Sequence, residues 1–246
     1  MMDTGAAGAK VLVVIPAFNE AAAISGVIAA VHEAVPHADV LVVDDGSRDS
    51  TSAVARAAGA MVATLPFNLG VGGAMRTGFR HAQRGGYSAL VQVDGDGQHD
   101  PRFIPLLLAE LRHHDVAVGA RFAGAGDYRV SRLRRLAMRA LATGMSALMS
   151  TRLDDATSGF RAAGPRAIRV FAEHYPAEYL GDTLETLVIA RKSSLTVTQV
   201  PVAMNPRTTG RPSHGGLRST VELARAGCVV ALGMVRHWPL PAETTP

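Results

Sequence analysis

The run Val91-Gln92-Val93-Asp94-Gly95-Asp96-Gly97-Gln98 sets two carboxylates one residue apart at the end of an apolar stretch, Ala89 to Val93. In open α/β sheets, ligands bind in the crevice beyond the carboxyl ends of the strands. Two acids there, followed by the Gln98 amide, make an all-oxygen donor set suited to Mg²⁺ or Mn²⁺. A cation so held can grip a diphosphate and neutralise it as it leaves. Taken alone, an Asp/Gly run is also an ordinary solvated turn. A calcium loop of the helix-loop-helix type fits poorly, because His99 stands where that loop needs Gly and Pro105 where it needs Glu.

Other chemistry-bearing residues follow apolar runs in the same way. Val11 to Ile15 leads into Pro16-Ala17-Phe18-Asn19-Glu20, and Val40 to Val43 leads into Asp44-Asp45-Gly46-Ser47-Arg48-Asp49. Asn68-Leu69-Gly70-Val71-Gly72-Gly73 is a Gly-rich helix entry that lets backbone approach a ligand closely. Each has a plain local reading too: Asp44 and Asp45 suit a tight turn, and the glycines suit helix-entry geometry. Further on lie Asp154, Asp155, Asp182 and Glu185, and a Gly/Pro/Thr/Ser loop from Asn205 to Gly216 that carries Arg207, Arg211 and His214. Arg207 and Arg211 are placed to add charge to a leaving diphosphate, or to be an exposed basic loop. His99 reads as a loop-ordering hydrogen bonder, and His113 and His114 as a solvated helix end.

The elements that must position these residues alternate. Strands are predicted near 10–15, 38–43, 60–65, 88–93, 116–119 and 195–203. Helices are predicted near 19–34, 49–58, 71–84 and 101–112. Asp49 or Ser50 is placed to cap the second helix, and Asp100 the fourth, with Pro101 in its first turn. Alternation of this kind specifies a mostly parallel sheet with crossover helices. Three acid-bearing strand ends and the Gly-rich entry then face one crevice. A helix is also predicted over 130–149, with Leu133, Leu136, Ala137, Ala140, Leu141, Gly144 and Leu148 on one face and Arg132, Arg135 and Arg139 on the other. An Arg-faced helix suits an anionic membrane surface or ordinary solvent.

The order and spacing of these blocks resemble the family-2 nucleotide-sugar glycosyltransferases over roughly residues 10 to 210, and within them the dolichol- and polyprenyl-phosphate sugar synthases. The resemblance implies a GT-A type, Rossmann-like α/β domain over 10–210, after a flexible tail at 1–9 and before a helical C-terminal extension at 211–246 that suits a membrane interface. It implies that Pro16, Ala17, Phe18, Glu20, Asp44, Asp45, Gly70, Gly73, Asp94, Gly95 and Asp96 bind the nucleotide sugar, with Asp45 favoured as the nucleoside acceptor although one sequence does not separate it from Asp44. Asp94, Asp96 and Gln98 would hold the metal. Asp96, Asp155, Glu185, Arg207 and Arg211 are the candidate catalytic groups. Asp155-Ala156-Thr157-Ser158-Gly159-Phe160-Arg161 matches a family block that lines the site, with Ala156 where Pro is usual. Arg121, Arg132 and Arg135 fall in the lipid-phosphate region. Arginine grips a phosphate bidentately. The implied reaction is metal-dependent, inverting transfer of a sugar from a GDP- or UDP-sugar to a polyprenyl phosphate.

Composition agrees with one α/β domain. The chain has 246 residues, 48% of them hydrophobic, and a net charge of +4, which favours an anionic partner or surface. Its single cysteine, Cys228, excludes an intramolecular disulfide framework and suits a reducing compartment. No stretch reaches the roughly 20 apolar residues that span a bilayer. Ala226 to Val235 is shorter and ends at Arg236-His237-Trp238-Pro239, which suits a packed or interfacial helix. The expected placement is peripheral, at the cytoplasmic face of a membrane, with a membrane-protein partner or self-association open and no nucleic acid among the partners. Three rivals remain. The first is the same fold acting on a hydroxyl, with Asp182 or Glu185 as base. The second is a nucleotide-binding module without catalysis. The third is a nucleotidyltransferase, which would usually carry a Gly-rich loop where Pro16 to Glu20 stand.

Overall fold

Val11 to Ala17 is apolar on both faces, and such a strand is stable only when both faces are covered. The computed structural model describes residues 10–121, 143–149, 151, 153–176 and 182–205. Its strands are β1 (Val11–Ala17), β2 (Asp39–Asp44), β3 (Met61–Thr64), β4 (Ala89–Gln92), β5 (Val116–Ala120), β6 (Arg161–Ala163) and β7 (Val197–Pro201). They form one sheet in the order β3-β2-β1-β4-β6-β5-β7. β6 pairs antiparallel with β4 and β5, and every other pairing is parallel.

The helices are α1 (Ile24–Ala34), α2 (Thr51–Ala57), α3 (Gly70–Arg84), α4 (Ile104–Glu110), α5 (described over 143–149), α6 (Pro165–His174) and α7 (Asp182–Lys192). Alternate residues of a strand point to opposite faces. Leu12 and Val14 of β1 therefore join one core layer with Met75 and Phe79 of α3, Ile168 and Phe171 of α6, and Leu187 of α7. Val13 and Ile15 join the other, with Ile24 and Ile28 of α1, Ala55 of α2, and Ile104 and Leu107 of α4. The result is a helix–sheet–helix sandwich. α3 lies close on the sheet because Gly78 has no side chain: a Cβ there would sit 2.6 Å from Val14 Cγ1. α3 also finishes α6, since Arg76 donates to the Glu173 carbonyl and Arg80 to the Ala172 carbonyl, both at 3.2 Å. These carbonyls have no partner within their own helix.

All six predicted strands are present, and four departures stand out. α1 starts at Ile24 rather than near residue 19, because Asn19 takes a left-handed φ of 57° and residues 18–23 form the turn that follows β1. The fourth helix opens as a 3-10 turn, Pro101–Phe103, with Asp100 accepting from the Arg102 N–H as predicted. No element was predicted over β6, α6 and α7, and a three-residue strand such as β6 is too short to show a period. In α5 Met145 and Met149 are buried and Leu148 packs half-buried against the same core, as expected of its face, while Gly144 is exposed. Arg132, Arg135, Arg139, Arg207, Arg211, the tail at 1–9 and the extension at 211–246 lie outside the described residues. Among the described residues no helix is long and apolar enough to cross a membrane.

Candidate active site

The carboxyl ends of β1, β2 and β4 meet at one edge of the sheet. Ala17 pairs with Asp44, and the Asp45 N–H donates to the Ala17 carbonyl at 2.9 Å. The loops beyond β1 and β2 are laced together: Asn19 Oδ1 accepts from the Arg48 N–H at 2.8 Å, Ser47 Oγ from the Asn19 N–H at 2.9 Å, and Thr51 Oγ1 from the Glu20 N–H at 2.9 Å. Beyond β4, Gly95 lies against the same wall. A Cβ there would be 3.2 Å from the Pro16 carbonyl oxygen and 3.6 Å from Glu20 Cγ. Pro16, Ala17, Glu20, Asp44, Asp45 and Gly95 are thus brought together as expected. Phe18 is exposed at this edge, and so are Phe67 and Leu69, which sequence reasoning passed over. Their signal was available: large apolar side chains in a polar segment between a strand and a glycine-rich helix entry.

Asp44 and Asp45 are now distinguishable. Asp44 accepts from the Ser47 N–H at 2.8 Å and from the Ser52 hydroxyl. Asp45 accepts with both oxygens, from the N–H groups of Leu69 and Gly70, each at 2.7 Å. Gly70 has a positive φ of 79°, which glycine adopts at no steric cost, and this aims the start of α3 at the carboxylate. Burial pushes the Asp45 carboxyl above its ordinary range, the neighbouring Asp44 charge adds to this, and the two N–H groups offset only part. A nucleoside N–H reaching Asp45 must share an oxygen with one of these backbone donors. A carboxylate has about four lone-pair sites, so sharing is possible.

The two acids after β4 differ in exposure. The Asp94 side chain is 39% exposed and Asp96 is 7% exposed. Asp96 Oδ1 accepts from the Gln98 N–H at 3.0 Å, and Asp94 Oδ1 accepts from the Gln92 amide at 3.2 Å. Among the described residues no three acid, His or Cys side chains gather as a complete metal cage. The donor chemistry still fits Mg²⁺ or Mn²⁺. Mg²⁺ in particular is commonly held by one or two carboxylates and completed by substrate phosphates and water. The 155–161 block reaches Asp94. At Gly159 a Cβ would be 3.6 Å from both Asp94 carboxylate oxygens and 3.0 Å from Gln92 Nε2, so a larger residue there would crowd the pair.

Arg121 and Asp155, expected to clamp a phosphate and to act in catalysis, hold each other. Arg121 Nε and a terminal nitrogen donate to the two Asp155 oxygens at 2.6 and 3.0 Å, and Arg121 also donates to Thr157 Oγ1 at 2.7 Å. Burial alone would raise the Asp155 carboxyl. The Arg121 hydrogen bonds and charge, with Thr157, outweigh it and hold the group below the usual carboxylate range. A carboxylate so held is a poor base. The Gln199 amide of β7 grips the same segment, accepting from the Asp154 N–H at 2.6 Å and donating to the Asp155 carbonyl at 2.8 Å. Arg161, buried on β6, donates to the Ser158 carbonyl at 2.7 Å and to Thr186 of α7 at 2.5 Å. Asp182 begins α7, and Glu185, next to Thr186, is half-buried. The root of the basic loop also arrives here: the Asn205 N–H donates to the Gln98 carbonyl at 2.9 Å.

Comparison with known proteins agrees with this geometry. The family model described as Glycosyl transferase family 2 matches residues 12–174. The polyprenol monophosphomannose synthase of Mycolicibacterium smegmatis is 35% identical over 161 residues, 62% of this chain, and the match spans 61% of that protein's length. The undecaprenyl-phosphate mannosyltransferase of Micrococcus luteus is 30% identical over 216 residues, covering 84% of this chain and 88% of that protein. Among solved structures, glucosyl-3-phosphoglycerate synthase from Mycobacterium tuberculosis, in complex with Mn²⁺, UDP and glucosyl-3-phosphoglycerate, superposes with a TM-score of 0.70. That likeness, at 23% identity, covers 96% of this chain and 82% of the other, and it shows the shared GT-A-like fold.

Proposed function

This chain belongs to glycosyl transferase family 2, and from that membership we propose that it moves one sugar, mannose, from a GDP- or UDP-linked donor to a polyprenyl phosphate, with inversion, at the cytoplasmic face of a membrane. The observation that carries this reading is the likeness to the undecaprenyl-phosphate mannosyltransferase along 84% of the chain. A phosphate acceptor does not call on Asp155 as a base, and a hydroxyl acceptor would call on Asp182 or Glu185. A phosphate monoester is already anionic at neutral pH, whereas a sugar hydroxyl needs a general base. Asp155, the buried acid of the 155–161 block, is committed to Arg121 and kept ionised.

The residues divide the work along the crevice. Pro16, Ala17 and Glu20 wall the nucleoside pocket, and Asp45 fixes the Leu69–Gly70 backbone that closes it. Asp94, Asp96 and Gln98 would hold Mg²⁺ or Mn²⁺, which when bound supplies Lewis-acid neutralisation of the diphosphate. Arg207 and Arg211 follow Asn205, which is tied to the Gln98 carbonyl, so their loop starts beside the same acids. Arg132 and Arg135 are assigned to the lipid phosphate. Asp155 and Arg121 position the Gly159 segment under Asp94.

A donor screen tests this. GDP- and UDP-sugars are offered with Mg²⁺ or Mn²⁺ and a short polyprenyl phosphate, alone or beside free saccharides. The expected product is a lipid-linked sugar monophosphate, with mannose preferred. Preferred transfer to a saccharide hydroxyl would overturn the acceptor assignment and move attention to Glu185 and Asp182.

A further inference from the structure

His99 sits inside the loop that carries the two metal-type acids, and it is 3% exposed. Its Nδ1 accepts from the backbone N–H of Asp94 at 3.0 Å. A nitrogen that accepts has no proton of its own, so the network assigns the ring proton to Nε2. That nitrogen lies 3.4 Å from Asp94 Oδ2. One edge of the imidazole therefore spans the amide and the carboxylate of a single residue. The ring is itself fixed: it stacks on Phe160 at 4.9 Å and 15°, and His99 forms an isolated bridge with Met204. Across the carboxylate, the Gln92 amide donates to Oδ1 at 3.2 Å.

We propose that His99 and Gln92 are positioning residues that set the rotamer of Asp94, so that the carboxylate meets the cation and the donor diphosphate already aimed. This rests on the reading of Asp94 and Asp96 as the metal-holding acids. Groups that orient a ligating side chain in this way are typically worth about 10–100-fold in metal affinity. The proposal explains why a histidine so near a hard-cation site is buried and turned edge-on to Asp94. It also gives the Phe160 ring a task, that of holding the imidazole in plane.

Calorimetric titration with GDP and with UDP, each with and without Mn²⁺, tests it on the wild type, Asp94→Asn, His99→Phe, His99→Gln and Gln92→Met. In His99→Phe the Mn²⁺-dependent gain in affinity should fall by about 10–100-fold while Mn²⁺-free affinity holds. His99→Gln should recover part of the gain, because its amide oxygen can accept from the Asp94 N–H. Gln92→Met should lose part of the gain, and it decides the matter should the His99 variants not fold. If His99→Phe and Gln92→Met keep the full Mn²⁺ gain while Asp94→Asn loses it, the positioning role is wrong and the metal reading stands. Retention of the gain in Asp94→Asn removes the metal reading itself, and binding of neither nucleotide removes the donor reading. An equal loss with and without Mn²⁺ in His99→Phe would reduce His99 to a merely structural residue.

Discussion

Asp96 and Asp45 show how one residue type serves two ends in this crevice. Asp96 is 7% exposed, and its Oδ1 accepts from the Gln98 N–H within its own turn. Asp96→Asn should therefore keep the fold and lose transfer by about 10²–10³-fold, the usual loss when one preorganised group acting on developing charge is removed. Turnover with a chelator present, at the wild-type rate, would take the metal out of the mechanism. Asp45 is built into the structure by two backbone N–H groups. Asp45→Ala should raise the donor KM with little change in kcat, and should also cost about 1–3 kcal/mol of stability, because two N–H groups at the start of α3 lose their acceptor. Denaturant unfolding beside steady-state kinetics separates the effects, and a fall in kcat at unchanged KM would sink the nucleoside assignment. The Arg121–Asp155 pair makes a pH-dependent prediction. The folded Asp155 carboxyl lies below its unfolded value, so the pair's contribution is full above about pH 4 and is lost as pH falls through the folded value. Arg121→Met should cost about 3–5 kcal/mol at pH 7, and urea melts should show that gap shrinking toward pH 3. An equal gap at both pH values would mean that the ion pair is not its source.

At the scale of elements, the buried parallel strands were legible because each is an apolar run ending in acids or turn residues, and β1, β2 and β4 end where the chemistry is. The Gly-rich entry to α3 was legible for the same reason. β6 was not. Its three residues include Arg161, and a buried arginine in a short run hides a central strand whose pairing with β4 places Gly159 under Asp94. The Arg121–Asp155 pair was also hidden, since two sequence blocks 34 residues apart announce separate roles and only the fold shows that they satisfy each other. The Asp45 contact with Leu69 and Gly70 was hidden likewise. What patterning leaves silent is close approach, and α3 is the clearest case. Gly78→Ala removes a helix-weakening glycine, a gain of up to about 1 kcal/mol in an exposed helix. Here the added Cβ would lie 2.6 Å from Val14 Cγ1, so α3 must move off β1. The net change should be a loss of about 1–3 kcal/mol, as for overpacked cores. A raised melting temperature for Gly78→Ala would show that α3 has room to shift.

For the whole molecule, the question is how a chain with no membrane-crossing helix among its described residues would meet the lipid-borne acceptor proposed for it. Its formal net charge of +4 gives a general attraction to an anionic surface, but the proposed contact is local, through Arg132 and Arg135. Each arginine near such a surface is worth about 1 kcal/mol, so Arg132→Ala/Arg135→Ala should weaken binding to vesicles rich in anionic lipid by roughly 30-fold, at tenfold per 1.4 kcal/mol. Wild-type binding should itself fall with added salt, because the screening length shrinks from about 10 Å at 0.1 M to about 3 Å at 1 M. The same double variant should raise the KM for polyprenyl phosphate and leave donor binding, measured without acceptor, unchanged. Lys at either position should restore the vesicle binding more fully than the KM, since a point charge replaces attraction but not a bidentate grip. Arg121 offers the internal contrast. Its fork is already closed on Asp155 and Thr157, so its loss should appear first as instability rather than as weaker vesicle binding. If the double variant keeps the wild-type KM for polyprenyl phosphate, the acceptor phosphate is not held by Arg132 and Arg135. If the wild type also prefers a saccharide hydroxyl, the fold is serving the other acceptor class, and Glu185 becomes the residue to replace next.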